Sequence, residues 1–148
     1  MYDLQICTAV EIRNCWKLFL NDENAKRFYY EIAKERIYFE SYKDTIQEFF
    51  RLHKRKYNLD ISDEHLKLIN LSSAALESEA IISYIDGFLH LTVDEICDFE
   101  IRAIYEFINV PYKRIDEIIT ISKEVFPKLN VRLNKYFELE LSGDMNMI

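Results

Sequence analysis

Residues 62–111 constrain the fold more than any other stretch, because they read as two long helices folded into a hairpin with more apolar surface than one packing partner can cover. The first helix is expected from Asp63 to about Leu91, and no charged residue interrupts it between Leu68 and Leu76. A helix that is apolar nearly all round is buried on more than one side. Farther along, Leu76, Ala80, Ser83 and Gly87 fall on one stripe at spacings of three and four, which predicts a path of small side chains where another helix crosses closely. Glycine inside a helix costs roughly 1 kcal/mol relative to alanine, so Gly87 at this position asks for a packing reason.

The run Thr92-Val93-Asp94-Glu95 then reads as a capping box, in which hydroxyl and carboxylate satisfy free backbone donors and start the second helix. That helix is expected to close at Asn109, just ahead of Val110-Pro111. Its apolar residues Ile96, Phe99, Ile101, Ala103, Ile104, Phe107 and Ile108 cover a wide arc rather than one seam. Two neighbours are implied: the chain's own bundle and, most economically, a copy of the same hairpin across a two-fold axis. The homodimer interface expected on this basis comprises Ala80, Ser83, Tyr84, Gly87 and Phe88 from the first helix, with Ile96, Phe99, Ala103 and Phe107 from the second. The alternative is a monomer of six or seven helices that buries both faces itself.

The remainder also reads as helical. A chain of 148 residues is enough for one domain with its own core, and no internal repeat or linker divides it. Only two glycines and two prolines occur, which argues against turn-rich sheets and disordered tails, so the expected class is an all-α bundle of six to seven helices. Leu4 to Leu20 presents Ile12, Cys15, Trp16 and Phe19 on one side, with Glu11, Arg13 and Lys17 facing elsewhere. After a break and cap at Asn21-Asp22, a helix from Glu23 to about Phe39 carries Ala25, Phe28, Tyr29, Ile32 and Phe39 inward. Beyond a turn near Ser41, Tyr42, Ile46, Phe49, Phe50, His53 and Tyr57 form a third stripe, and Ser62 is the N-cap of the hairpin. Past Pro111, a helix through Ile115, Ile118, Ile119, Ser122 and Phe126 is halted or kinked by Pro127. Lys128 to Leu141 is expected to be turn-rich or helical, offering Leu129, Leu133, Tyr136 and Phe137 to the bundle, and Ser142 to Ile148 reads as frayed.

Several function classes drop away. With glycine only at Gly87 and Gly143, phosphate-cradling glycine loops are excluded. Cys7, Cys15 and Cys97 form an odd, widely spaced set that suits free thiols in a reducing cytosol, and His53, His65 and His90 have no metal-ligand spacing. No metal, cofactor or catalytic residue is therefore expected, and the chain reads as no enzyme. No apolar run reaches the length that spans a bilayer, and Met1-Tyr2-Asp3 lacks the cationic start of a secretion signal, so the expected location is cytoplasmic, away from membranes. A net charge of −7 repels phosphate backbones. The basic cluster Arg51, Lys54, Arg55 and Lys56 complements the dipole at a helix end. What remains is a ligand cavity walled by the aromatic residues ahead of the hairpin, with polar groups from its charge-free segment, where Asn70, Ser73 and Glu77 lie a turn apart. The ligand-binding residues expected are Trp16, Phe28, Ile32, Phe49, Phe50, His53, Asn70 and Ser73.

The stretch Leu18-Phe19-Leu20-Asn21-Asp22-Glu23-Asn24 leading into Phe28-Tyr29-Tyr30-Glu31, the Ile85-Asp86-Gly87-Phe88 near the end of a long helix, and Leu91-Thr92-Val93-Asp94-Glu95 form one pattern with Phe107-Ile108-Asn109-Val110-Pro111 and Ile115-Asp116-Glu117-Ile118. This pattern resembles the C-terminal sensor and dimerisation domain of the tetracycline-repressor (TetR) family of bacterial transcription regulators, over about Leu4 to Phe126. The resemblance implies that two sensors pair through a four-helix bundle of their last long helices. It also implies that an effector entering among the preceding helices shifts a connector, here the Leu4 to Leu20 helix. DNA half-sites lie about 34–36 Å apart, so a small swing of two heads ends binding. The chain departs from the family in showing no helix-turn-helix head and no basic reading surface. DNA contact is thus expected only through a segment not in this chain. The expected function is a regulatory domain that senses a small apolar or aromatic effector and forms a homodimer. The alternative is a stand-alone helical adaptor, such as a viral Bcl-2-like bundle, whose groove holds a partner helix.

Overall fold

The computed structural model describes residues 2–129, 131–133 and 139–141. Residues 4–125 form an all-helical bundle: α1 Leu4–Phe19, α2 Glu23–Lys34, α3 Ile37–Tyr57, α4 Asp63–Ile85, α5 Val93–Phe107 and α6 Tyr112–Val125. Local chemistry sets most of the starts. Side-chain oxygens of Asp3, Asp22 and Ser62 accept from the backbone N–H of Ile6, Ala25 and His65, so α1, α2 and α4 each begin on a satisfied donor. The capping box at α5 is complete, with Thr92 Oγ1 accepting from Glu95 N–H and Glu95 Oε2 accepting from Thr92 N–H. α5 stops where Asn109 turns left-handed at φ 60°, and Val110 N–H reaches back to the Tyr105 carbonyl at 2.9 Å.

The structure corrects four expectations. α4 ends at Ile85, short of Leu91, and Gly87 lies outside it at φ +77°. Phe88 N–H bonds the Ser83 carbonyl at 2.9 Å and Gly87 N–H the Tyr84 carbonyl at 3.3 Å, so the glycine supplies the left-handed stop of the helix instead of a tight crossing. A Cβ built on Gly87 would meet nothing within 4 Å. α2 and α3 are divided at Arg36, which takes φ 57°, five residues ahead of the turn expected near Ser41. Arg13 does not face away with Glu11 and Lys17. It is 2% exposed, donating to Ser122 Oγ at 3.0 Å and to Asp98 at 2.6 Å, because α1 is packed on both α5 and α6. After α6, a 3₁₀ turn over Phe126–Lys128 contains Pro127. Two short antiparallel strands follow, β1 Val131–Leu133 and β2 Leu139–Leu141, in place of the turn-rich or helical piece expected there. Both segments alternate apolar and charged residues, the period of a strand. Tyr136, Phe137 and the segment from Ser142 to Ile148 lie outside the described residues.

Side-chain packing divides the core in two. The larger part joins Ile6, Ala9 and Val10 of α1 to Phe50, Leu66, Ile101, Tyr105 and the Ile115–Ile119 face of α6. The smaller gathers Trp16, Phe19, Ala80, Ile81, Ile96 and Cys97. Ile12 touches both. α4 lies against α2, α3 and α5, which accounts for its many buried sides, yet Leu68 and Leu71 on its outer stripe stay exposed. Among the described residues no helix is long and apolar enough to cross a membrane.

Candidate ligand cavity

Between the two core clusters the helices leave a cavity of about 370 Å³, within the range of small-molecule sites. Each wall is a helical stripe. α1 brings Thr8, Glu11, Ile12 and Cys15, and α3 brings Tyr42, Thr45, Ile46, Phe49 and Phe50. α4 adds Ser73, Ala74, Leu76 and Glu77, and α5 closes the site with Glu100 and Ile104. The lining is largely aliphatic and aromatic, with three carboxylates and, among the described residues, no lysine, arginine or histidine.

The carboxylates set its electrostatics. Glu100 is 4% exposed, and its Oε2 accepts from Trp16 Nε1 at 2.7 Å. Its Oε1 is fully buried without a hydrogen-bond partner among the described residues. Burial, reinforced by the negative charge of Glu77 and opposed by the Trp16 bond, pushes the Glu100 carboxyl up to about 8. Glu77 is only half-buried, since the cavity borders it, yet desolvation raises it to about 7. Burial, then Glu77, Glu11 and Glu100, pushes the Cys15 thiol up to about 12, so it stays protonated and a poor nucleophile. Around the acids, α2 contributes Tyr29 and α5 Cys97, both also shifted upward by burial.

A groove of similar volume, about 370 Å³, runs between α4 and α5 on the outer side. Leu89, Leu91, Ile96 and Phe99 line it, while Leu76 and Glu100 belong to the walls of both spaces. Cavity and groove therefore share these two side chains as a partition.

Of the expected ligand-binding residues, the structure brings Phe49, Phe50 and Ser73 to the cavity. The other five lie elsewhere. Trp16 is fully buried in the smaller core, one bond behind the wall. Phe28 is 45% exposed and edge-on to Tyr29, and Ile32 borders a separate void of about 10 Å³. His53 is buried against Phe49, Tyr57 and Tyr105, with Nδ1 donating to the Phe49 carbonyl at 3.1 Å, and burial lowers its basicity. Asn70 spends its amide on the Lys43 carbonyl at 2.8 Å and Gln47 Oε1 at 3.2 Å, which ties α4 to α3. The residue that sequence reasoning missed is Glu100. Its signal was a lone acid at a spacing of four between Ile96 and Ile104, on a stripe that should have been apolar.

The expected interface residues divide as well. Gly87, Phe88, Phe99 and Phe107 are exposed, Phe88 at 80% and Phe99 at 61%. Ser83, Tyr84 and Ala103 are half-buried, Tyr84 lying edge-on to Trp16. Ala80 and Ile96 are covered by the chain itself, in the smaller core. Comparison of the chain with protein-family models, with curated proteins and with solved structures gave no match.

Proposed function

We propose that this chain is a regulatory ligand-sensing and dimerisation domain, similar in plan to the tetracycline-repressor sensors, that holds a small and largely apolar or aromatic effector and carries no chemistry of its own. The observation that carries this reading is the cavity dividing the core where α1, α3, α4 and α5 meet. Close packing is the rule in protein interiors, so a space of this size between helices is a place for a ligand. Filling it would wedge Ile12 and Cys15 of α1 away from Ala74 and Glu77 of α4. α1 is thereby the mover, and a DNA-binding segment not in this chain would receive its displacement. Pairing of two copies through the α4–α5 hairpin would hold two such movers in register.

The exposed α4–α5 groove is the one feature that favours the second reading, an adaptor that takes a partner helix. Nile red, a neutral apolar dye, tests the first. It is expected to bind saturably at one site per chain, with its emission shifted to the blue. Ala74→Phe projects a ring into the cavity and should weaken that binding by about tenfold or more, with the helical circular dichroism unchanged. Dye binding that ignores this substitution would place the site elsewhere and defeat the reading.

A further inference from the structure

We propose that the cavity is built for an organic cation: an amphiphilic amine whose charged end lies between Glu77 and Glu100 and whose apolar body lies against Ile46, Phe49 and Ile104. This rests on the ligand-sensing reading and names the class of effector. A neutral apolar ligand would need no acids in the wall, and ionised carboxylates removed from water are costly unless a positive charge answers them. Here the buried Glu100 and the half-buried Glu77 line one space together with the exposed Glu11, and no cationic side chain is among its described residues. Arg13, the buried cation on α1, is already engaged by Asp98 and Asp94 on α5. Glu100 Oε1 is buried without a partner among the described residues while Oε2 is held by Trp16, so one oxygen is fixed in place and the other is left for a donor. An ammonium group offers that donor and stabilises the ionised carboxylates in place of the protons that burial otherwise keeps on them, and the ring of Phe49 on the α3 wall of the same space favours a cation further. An anion would find no cationic side chain among the described residues of the lining. A metal ion would lack ligands, since no cluster of three or more histidine, cysteine or acidic side chains is placed to hold one among the described residues.

Three probes of similar shape separate charge recognition from apolar uptake: 4-phenylbutylamine, 4-phenylbutanol and 4-phenylbutyrate. The whole chain is titrated with each at about pH 9, where both raised carboxyls are largely ionised and a primary amine is still protonated. Calorimetry gives the affinities. The emission of Trp16, the chain's single tryptophan, reports a charge arriving at its partner Glu100. The amine is expected to bind about tenfold or more tighter than the alcohol, the carboxylate weakest, and only the amine should shift the Trp16 emission. The double variant E77Q/E100Q, which keeps the side-chain shapes, should lose the preference for the amine and retain the alcohol. The single variants E77Q and E100Q, each checked for an intact thermal transition, should lose part of it. Equal affinity for amine and alcohol, or an amine affinity unchanged in E77Q/E100Q, overturns the cation assignment and leaves apolar sensing standing. Binding of none of the three probes overturns the assignment together with the sensing reading.

Discussion

At Glu100 a carboxyl that would be ionised and solvated in an unfolded chain is enclosed between Trp16, Glu77 and the apolar wall of the cavity. Its carboxyl and that of Glu77 are raised from 4.5 to about 8 and about 7, so the folded protein keeps two protons that the unfolded chain has already released. Their contribution to stability is complete below about pH 4.5 and is lost as pH rises through 7 and 8. His53 acts in the opposite sense, because burial lowers its pKa and the unfolded chain takes up the proton first as pH falls. Subtracting the stability of a Glu100→Gln variant from that of the native chain removes the His53 contribution. Denaturant midpoints across this range should show the native chain losing on the order of 1–3 kcal/mol relative to the variant between pH 5 and 9. A difference that is flat with pH would mean that Glu100 is ionised and solvated in the folded state. The amide oxygen that Glu100→Gln introduces can still accept from Trp16 Nε1, so the comparison isolates the charge from the bond.

Among the elements, the ends fixed by neighbouring residues were legible and those fixed by distant packing were not. Asp22, Ser62, Thr92 with Glu95, and Asn109 each close or open a helix through atoms within a few residues of themselves, and sequence spacing captures that. Arg36 breaks α2 from α3 with no glycine, proline or capping side chain to announce it. The left-handed turn there costs about 1–2 kcal/mol and is held by packing of both helices on α4. Phe49, Phe50 and Ser73 could be placed at the cavity from stripe spacing alone, whereas Arg13, Trp16 and Glu100 were set by partners more than eighty residues away in sequence. Gly87 misled because a C-terminal stop falls on the same three-and-four spacing as a helix stripe. Its two roles predict different chemistry. At φ +77° with nothing within 4 Å of an added Cβ, Gly87→Ala and Gly87→Leu should both cost about 1 kcal/mol, since the penalty is in the backbone. Thermal unfolding at equal protein concentration measures both. A leucine variant much weaker than the alanine one would reveal a second surface packed at this turn.

For the whole molecule, the question is what covers the apolar side of the α4–α5 hairpin. Leu68 and Leu71 on α4 are 58% and 46% exposed, and Phe99 and Phe107 on α5 are 61% and 42% exposed. Phe88 and Leu91 in the connecting turn add to the same end of the hairpin, and Phe99 and Leu91 border the groove shared with Glu100. Large side chains exposed together along one hairpin exceed the scattered apolar residues normal on a monomer. A two-fold pairing would cover the surface at both copies with one interaction, and burying each such residue would contribute about 1.5–3 kcal/mol before the cost of association. Sedimentation at micromolar protein should therefore show a dimer that persists in high salt, because apolar contacts are not screened. Phe99→Glu combined with Leu71→Glu should return it to single 17.8 kDa particles while leaving Nile red uptake intact, since neither residue lines the interior cavity. Because Glu100 and Leu76 belong to both cavity and groove, filling the cavity should also shift the monomer–dimer equilibrium of the native chain, and the Phe99→Glu/Leu71→Glu variant, already monomeric, should show no such shift. Native protein that sediments only as single particles would leave the groove open to another partner, and the adaptor reading would then account for the exposed hairpin better than the sensor does.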